Sequence, residues 1–360
     1  MTTIPSRRIC ISHAADTRAD AEKIERLLRR ENVAVARGSL DPPAQAVLLL
    51  SPGWLESEWP RIQRHFASPS IDSLDLVARL LLLRPGSETP VPPLLRPLIE
   101  PGSRFLSGTG QHLNAAAVVR YLLHSPGRAR PAASHLRQVF VLGHPGAGKS
   151  AFCALLEKHL ESRGCPSSRI DLYRYLQVLF RCDALRGSTA RFAPDPACEF
   201  AINDESILDR ALHVMGGHLQ AREAAADGID IVELSFTHGP ALTELLRSFP
   251  HSAIVHVDSS VDVCEARNAS RGQLLRETLA TAATTGEGFD RDPDLHYVPP
   301  GFYHKYRAAG FELPPQLRQA PLFFRIENHG DDLAAYHADC VRLTGGELLP
   351  RAGVGDKITP

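Results

Sequence analysis

Eight consecutive residues, from Gly143 to Ser150, combine three glycines with a lysine and a hydroxyl group in the order G-x-x-x-x-G-K-S. Glycine has no side chain, so such a loop can bring its backbone N–H groups close to phosphate oxygens. The lysine adds a point charge near the β and γ phosphates, and the serine hydroxyl is a ligand for the magnesium ion that bridges them. The spacing therefore predicts a nucleoside triphosphate site. The candidate cofactor-binding residues are Gly143, Gly146, Ala147, Gly148, Lys149, Ser150 and Ala151.

The segments on either side of this loop support the same conclusion. The apolar run Gln138 to Leu142 precedes it and predicts a buried strand, and the residues from about Ser150 to Leu160 predict a helix. A helix that follows the loop directs its positive end at the phosphates. The alternative, a chance glycine-rich turn, does not account for both flanking elements. We therefore expect ATP and Mg²⁺ as the cofactors.

Glu233 lies near the end of a second apolar run, Ile229 to Leu234. A charged residue rarely enters a buried parallel strand without a partner, so its carboxylate is expected to have a function. At the end of a strand it would face the phosphate-binding loop, where it could hold magnesium through water or act as a base. The sequence thus predicts Ser150 and Glu233 as the metal-site residues.

The region 137–343 resembles the small-molecule and nucleotide kinases of the P-loop class. The segment from Ala253 to Arg271, AIVHVDSSVDVCEARNASR, resembles the strand, turn and helix that lead into the mobile lid of these kinases. The resemblance implies that Arg267 and Arg271, four residues apart on one helical face, embrace the transferred phosphate. The alternative is that they are two solvated arginines on an exposed helix.

The same resemblance gives a role to Asp171, which follows a short run ending at Ile170. Kinases of this class often carry an acidic group here that orients or deprotonates the acceptor hydroxyl. Asp171 could equally cap a helix beginning at Leu172, because Asp is a preferred N-cap residue. Tyr173 and Tyr175 could line the acceptor pocket. The candidate catalytic residues are Lys149, Asp171, Glu233, Arg267 and Arg271.

Two motifs in the first third of the chain resemble TIR domains: ICISHA from Ile9, and LSPGWLESEW, which ends at Trp59. The resemblance covers about Arg8 to Leu123 and implies a flavodoxin-like parallel sheet. TIR domains that cleave NAD carry a glutamate four residues after this tryptophan, where the present chain has Gln63. A neutral amide cannot stabilise the developing positive charge as a carboxylate does, so we expect association or binding instead of NAD cleavage. The alternative is another flavodoxin-like domain in which these residues only form turns and core.

Short apolar runs alternate with helix-like segments in both halves of the chain, which predicts an α/β fold with parallel sheets. We expect two domains, a flavodoxin-like TIR-type sheet followed by a P-loop NTPase sheet of the kinase type. The Pro/Gly/Ala/Arg-rich stretch after Leu123 predicts the boundary. The expected ranges are 1–124 for the TIR-like domain, 125–135 for the linker, 136–346 for the kinase-like domain and 347–360 for a flexible tail.

The bulk composition excludes several classes of protein. The 360 residues are 43% hydrophobic and 22% charged, with no apolar run of membrane-spanning length and no signal-peptide pattern at Met1, so we expect a cytoplasmic protein with no membrane partner. A formal net charge of −1 gives no basic field for nucleic acid. Seven widely spaced cysteines without a CxxC pair argue against a zinc site or a disulfide framework.

The leading hypothesis is an ATP-dependent phosphotransferase that acts on a nucleoside, a nucleotide or a related small hydroxylated acceptor. In this hypothesis the TIR-like module mediates association with a second copy or with another protein. One alternative is a nucleotide-binding signalling or defence switch, in which nucleotide binding reorders the second domain and the first associates. The third hypothesis, an NAD hydrolase, requires an acid other than Gln63.

Overall fold

The computed structural model describes most of the chain and divides it into two compact units that alternate along the sequence. Unit 1 comprises Met1–Pro131, Tyr173–Ser188 and Ser206–Gly228, and unit 2 comprises Ala132–Leu172, Thr189–Glu205 and Ile229–Pro360. The described residues are 8–37, 45–78, 80–83, 91–92, 94–95, 113–123, 136–195, 199–225, 228–235, 240–285, 298, 303–304, 307, 315–318, 320, 322–330 and 332–351. The expected linker 125–135 lies outside them.

Unit 1 is built on a parallel four-stranded sheet in the order β2-β1-β3-β4. β3 and β4 are apolar almost throughout because helices cover both faces of such a sheet. The strands are β1 (Arg8–Ser12), β2 (Ala34–Arg37), β3 (Gln45–Leu49) and β4 (Leu80–Leu83). The helices are α1 (Arg18–Arg30), α2 (Pro52–Ser57), α3 (Trp59–Ala67), α4 (Ser73–Ala78), α5 (Ala115–Leu123), α7 (Leu172–Leu185) and α8 (Ser206–Ala225). α7 takes its first residue from unit 2.

The helices α7 and α8 belong to unit 1 although the sequence division assigns them to the second domain. α8 packs against α4 and α5, and the Arg210 guanidinium forms a 2.6 Å ion pair with Asp72. Tyr175 of α7 and His218 of α8 are joined by a 3.0 Å hydrogen bond, and His218 Nε2 lies 3.3 Å from the Ala78 carbonyl oxygen. The expected kinase-like domain is one contiguous range, 136–346. In the structure, by contrast, segments of unit 1 and unit 2 alternate along this part of the chain.

Unit 2 contains a parallel five-stranded sheet in the order β11-β10-β5-β9-β6. β5 is the central strand and is buried at every residue. The chain passes from β5 to β6 on one side of the sheet and later to β10 on the other side, and ligands of such sheets bind beyond the carboxyl ends of the strands where the direction changes. The strands are β5 (Gln138–Leu142), β6 (Ser167–Asp171), β9 (Ile229–Leu234), β10 (Ala253–Asp258) and β11 (Phe323–Glu327). The apolar runs at Gln138 to Leu142 and Ile229 to Leu234 coincide with β5 and β9, and the strand predicted from Ala253 coincides with β10.

Helices and one hairpin complete unit 2. The antiparallel hairpin of β7 (Phe192–Asp195) and β8 (Glu199–Ile202) has no counterpart in the sequence predictions. Its two aromatic rings, Phe192 and Phe200, meet edge to face with centroids 5.1 Å apart. The helices are α6 (Lys149–Ser162), α9 (Pro240–Arg247), α10 (Val261–Thr285), α11 (Pro315–Arg318), α12 (Leu333–Leu343) and α13 (Leu349–Arg351).

The first residues of the expected flexible tail, 347–351, are among those that the structure describes. A π-helical turn, Thr344–Leu348, joins α12 to α13, and Leu348 and Leu349 are fully buried in the core of unit 2. Leu348 and Leu349 of the expected tail are thus part of this core, whereas the domain ranges as a whole stay a prediction. Proline and glycine suggested a free terminus, but the two leucines pack against the sheet. The range 352–360 lies outside the described residues.

Membrane-spanning helices, disulfides and metal clusters can be looked for in the described residues. No helix in the part of the chain that the structure describes is long and apolar enough to cross a membrane. Across the same residues, no disulfide joins the cysteines, and no group of three or more His, Cys, Asp or Glu side chains is arranged to hold a metal ion. Cys198 lies outside the described residues.

Candidate nucleotide-binding site

The loop between β5 and α6 depends on its glycines. Gly146 and Gly148 have φ of +83° and +102°, a left-handed backbone that other residues rarely adopt. A Cβ atom on Gly146 would lie 2.5 Å from the Cys264 carbonyl oxygen, and one on Gly143 would lie 2.5 Å from the Val257 carbonyl oxygen. The neighbouring backbone therefore leaves no room for side chains at these positions. These are the constraints expected of a loop that wraps closely around a ligand.

Side chains from distant parts of the chain hold the carbonyl groups of this loop. Tyr303 donates from its hydroxyl to the Pro145 carbonyl at 3.0 Å, and Tyr336 donates to the Gly148 carbonyl at 2.9 Å. Asn328 Nδ2 donates to the Ala147 carbonyl at 2.7 Å. Burial raises the pKa of Tyr336, so its hydroxyl remains a donor across the physiological range. The loop conformation is thus held by the protein itself.

Lys149 is the first residue of α6 and only 3% exposed. Its amine donates to the His144 carbonyl at 2.7 Å, which places the charge inside the turn of the loop. Burial lowers the pKa of Lys149 from its ordinary value. The carboxylates of Glu233 and Asp171 counteract this effect, so the amine lies within the electrostatic reach of both acids.

Ser150, Arg169 and Glu233 form a buried network at the mouth of the loop. The Ser150 hydroxyl donates to Glu233 Oε1 at 2.9 Å. Arg169 donates to Glu233 Oε2 from Nε at 3.1 Å and from Nη2 at 2.5 Å. Both oxygens of the carboxylate are therefore held, and the ion pair is shielded from water because the two side chains are 12% and 3% exposed. Arg169 is therefore the charged partner that Glu233 requires inside a buried strand.

Asp171 stands directly opposite Glu233 in the register between β6 and β9. It is the last residue of β6 and is followed at once by α7, so it occupies the position expected of a helix cap as well as that of a site acid. Asp171 is buried, at 8% exposure. The structure thus brings Lys149, Ser150, Asp171 and Glu233 together at the carboxyl end of the sheet.

The two arginines predicted for the lid both lie on α10 but differ in their surroundings. Arg267 donates to the carbonyl oxygens of Asn328 at 3.4 Å and Gly330, and to Asn328 Oδ1 at 3.1 Å. It also reaches the Gly146 carbonyl at 3.5 Å, so its guanidinium joins the phosphate-binding loop to the loop after β11. Arg271, one turn further along, is half-buried and contributes to lowering the pKa of Lys149.

The residues present fit a nucleoside triphosphate with a magnesium ion. The three crowded glycines provide a cradle that any Cβ would fill, and Lys149 supplies the cation at its base. A serine hydroxyl that donates to Glu233 keeps its lone pairs for a metal ion. A divalent ion held by one hydroxyl and one carboxylate depends on phosphate oxygens and water for its remaining ligands, which is how magnesium is held in such sites.

Sequence reasoning missed four residues of this site. Arg169 had a signal, since a charged residue within a strand calls for a partner. Asn328 lies in the turn after β11, within the segment Phe324 to Gly330, which the resemblance to P-loop kinases associates with the adenine and not with the phosphates. Tyr303 and Tyr336 gave no local signal, because their hydroxyls reach the loop only through the fold.

The motif residues of unit 1 form a separate hydrogen-bonded group at the carboxyl end of β1. Trp54 is fully buried and donates from Nε1 to the Ser12 hydroxyl at 2.9 Å, and Ser12 donates to Glu58 at 3.3 Å. Ser51 caps α2 by accepting from the Trp54 N–H at 3.1 Å. Gln63 lies on the exposed side of α3. Ser51 and Trp54 therefore have structural roles as cap and core.

The fold and the loop together define an α/β protein of the P-loop type, because a parallel sheet carries a phosphate-binding loop at the end of its central strand. No protein-family model matches the chain, and no curated protein matches its sequence. Solved structures similar to it include a gluconokinase from Sinorhizobium meliloti 1021 (15% identity, TM-score 0.34, covering 61% of this chain and 99% of that chain). An APS kinase from Mycobacterium tuberculosis in complex with AMPPNP and APS is 16% identical (TM-score 0.32, 58% and 99%). A shikimate kinase from Bacteroides thetaiotaomicron is also 16% identical (TM-score 0.30, 59% and 98%).

Proposed function

We propose that the protein is an ATP-dependent phosphotransferase that transfers the γ phosphate to a small hydroxylated acceptor. The observation that carries this proposal is the direct register between Asp171 and Glu233 at the mouth of the loop. One acid, Glu233, is tied to the metal-site hydroxyl of Ser150. Asp171, at the end of the adjacent strand, is therefore proposed to act on the acceptor. A protein that only binds nucleotide does not need a second acid for this purpose.

The proposed division of labour follows from the surroundings of each residue. Lys149 neutralises charge on the β and γ phosphates, and its burial strengthens this interaction because water does not screen it. Ser150 and Glu233 would hold a magnesium ion, which would supply positive charge to shield the phosphate oxygens from the incoming hydroxyl. Asp171 orients that hydroxyl and accepts its proton as its oxygen bonds to the γ phosphorus. The bond between the γ phosphorus and the β–γ bridging oxygen then breaks.

The arginines of α10 are proposed to act at different points of the same site. Arg271 is the candidate for contact with the transferred phosphate, because it lies within electrostatic reach of Lys149. Arg267 has its guanidinium committed to the carbonyls of two loops. Its contact with the phosphate would require these hydrogen bonds to be exchanged when the nucleotide binds.

The decisive test follows the γ phosphate. Purified protein is incubated with Mg²⁺, γ-labelled ATP and pooled nucleosides, nucleotides and sugars, and the label is traced by chromatography. Lys149→Ala is the inactive variant, and Lys158→Ala, which removes an exposed lysine from the same helix, is the matched control. Label on an acceptor with wild type and Lys158→Ala, and none with Lys149→Ala, supports the proposal. Label found only as free phosphate, or retained on bound ATP, contradicts it.

Asp171→Asn separates the acceptor step from nucleotide binding. We expect kcat to fall by about 10²- to 10⁴-fold, the usual contribution of a general base, while the affinity for ATP stays close to that of wild type. Equal losses in kcat and in ATP affinity would indicate that Asp171 only caps α7.

For unit 1 we propose a TIR-like module that associates with a second copy or with another protein. The sheet order β2-β1-β3-β4 supports a flavodoxin-like domain, because it matches the first four strands of the order 2-1-3-4-5. Catalysis on NAD is not part of the proposal, since Gln63 is neutral and exposed. Release of nicotinamide from NAD, abolished by changing Glu58, would overturn this view.

A nucleotide-dependent switch is the second candidate, and the interleaving of the chain favours it. α7 starts immediately after Asp171 and continues into unit 1, where the Tyr175 hydroxyl is hydrogen-bonded to His218. A change at the end of β6 would act directly on that helix. A switch would show nucleotide-dependent association without transfer of label, so the same labelling experiment combined with light scattering separates the two candidates.

A further inference from the structure

Three charged residues share one face at the ends of two neighbouring strands. Arg169 and Asp171 are two residues apart on β6, so their side chains leave the sheet on the same side. Glu233 is the register partner of Asp171 on β9 and therefore points to that side as well. All three are largely removed from water. Two buried carboxylates thus lie next to one buried guanidinium.

Two adjacent carboxylates without a cation are an attractive site for a divalent metal ion. Here Arg169 occupies that place with two donors on Glu233 Oε2, and Ser150 donates to the other oxygen. The guanidinium carries its charge at every relevant pH, so it compensates the acids permanently. A bare divalent ion entering the site would meet this fixed positive charge as well as that of Lys149.

We propose that Arg169 is a positioning residue that fixes Glu233 with Oε1 toward Ser150 and keeps the nucleotide-free site from binding a divalent cation alone. The metal ion then enters only together with the nucleotide, because the negative charge of the triphosphate outweighs the repulsion by Arg169 and Lys149. This inference rests on the proposed nucleotide site. It concerns how the metal is admitted, whereas the proposed function concerns where the phosphate goes.

The guanidinium of Arg169 has two separable effects in this proposal. Its charge repels a free metal ion, and lysine would retain that effect. Its geometry, with two donors converging on one oxygen, holds the carboxylate in place, and lysine would lose that effect. A residue that only stabilised the sheet would change the melting temperature without changing the affinity for a metal ion.

The experiment titrates nucleotide-free protein with Mn²⁺ and measures the free ion by electron paramagnetic resonance. Wild type is expected to bind Mn²⁺ weakly, and R169Q about 10- to 100-fold more tightly, because one fixed positive charge beside the Glu233 carboxylate is removed. R169K should bind Mn²⁺ as weakly as wild type but have a lower kcat for transfer. R247Q, which removes an exposed arginine at the end of α9, is the matched control and should behave as wild type.

The double variant R169Q/E233Q should lose the gained affinity for Mn²⁺, because residue 233 no longer carries a negative charge. R169M replaces R169Q if circular dichroism shows that R169Q does not fold. The inference is overturned by tight Mn²⁺ binding to wild type, by equal binding to wild type and the neutral variants, or by a gain that survives E233Q. Absence of label transfer combined with the gain in Mn²⁺ affinity would overturn the phosphotransferase but leave this inference intact.

Discussion

Asn328 Nδ2 donates a 2.7 Å hydrogen bond to the Ala147 carbonyl, which lies 181 positions earlier in the chain. Its side-chain oxygen accepts from Arg267, so one amide ties the phosphate-binding loop to α10 and to the end of β11. Asn328 is 4% exposed, and a buried amide in this position has no water to replace either partner. Nucleotide affinity should therefore depend on a residue outside the sequence motif.

The first prediction concerns Asn328→Ala. The Ala147 carbonyl would lose its donor and Arg267 an acceptor, so we expect the free energy of unfolding to fall by about 1–3 kcal/mol. ATP affinity should decrease by about tenfold because the loop loses its fixed conformation. Isothermal calorimetry and urea unfolding measure the two effects. An ATP affinity equal to that of wild type would show that the loop does not need this support.

The second prediction contrasts two glycines. Gly148→Ala would place a Cβ 2.5 Å from Asn328 Nδ2 at a φ of +102°, so we expect loss of nucleotide binding and a fall of about 2 kcal/mol or more in the free energy of unfolding. Gly217 lies in α8, where an added Cβ would meet nothing within 4 Å. Gly217→Ala should therefore raise the free energy of unfolding by about 1 kcal/mol, because alanine favours the helix. Denaturant unfolding of both variants provides the comparison. Similar effects at the two positions would refute the role given to the loop geometry.

The third prediction concerns acid stability. Burial lowers the pKa of His218 to about 4. With Nε2 donating to the Ala78 carbonyl and Nδ1 accepting from Tyr175, the ring is neutral in the folded protein. An unfolded histidine has a pKa near 6.5, so the unfolded state takes up the proton first as pH falls. The stabilising effect of the neutral ring is complete above about pH 6.5 and is lost as pH falls towards 4, a change of about 3 kcal/mol.

His218→Gln should remove this part of the pH dependence, measured as the free energy of unfolding between pH 7 and pH 4. His213→Gln, which changes an exposed histidine of the same helix, is the control and should leave the dependence unchanged. His256 of unit 2 also has its pKa lowered to about 4 by burial, so some acid sensitivity remains in both variants. Parallel curves for wild type and His218→Gln would contradict the assignment.

The fourth prediction tests the interleaved division of the chain. A fragment of residues 136–351 keeps the whole described part of unit 2 but removes the helices α4 and α5 against which α8 packs. The buried α8 side chains Leu212, Met215 and Leu219 would then be exposed. We expect the fragment to bind a hydrophobic dye and to lack the cooperative melting transition of the full chain. Cooperative melting with unchanged ATP affinity would favour the contiguous domains predicted from the sequence.

Much of the site could be predicted because its determinants are local. The order of glycines, lysine and serine from Gly143 to Ser150 follows from what a backbone needs to approach phosphate, and the flanking strand and helix are visible as apolar patterns. Glu233 was found because a carboxylate inside an apolar run requires an explanation. The alternation of elements likewise predicted two parallel sheets, although β2 and the β7–β8 hairpin lack a strong apolar pattern.

The sequence by itself determined the glycine-rich loop, the strand before it and the acid Glu233 within a second apolar run, because each is encoded within a few adjacent residues. Only the tertiary structure decided which distant groups meet them. Arg169 reaches Glu233 across two strands, and Asn328 reaches Ala147 through the end of β11. It also decided that α7 and α8 group with unit 1. Such pairings depend on packing between elements far apart in the chain, and no periodicity within one segment specifies its partner.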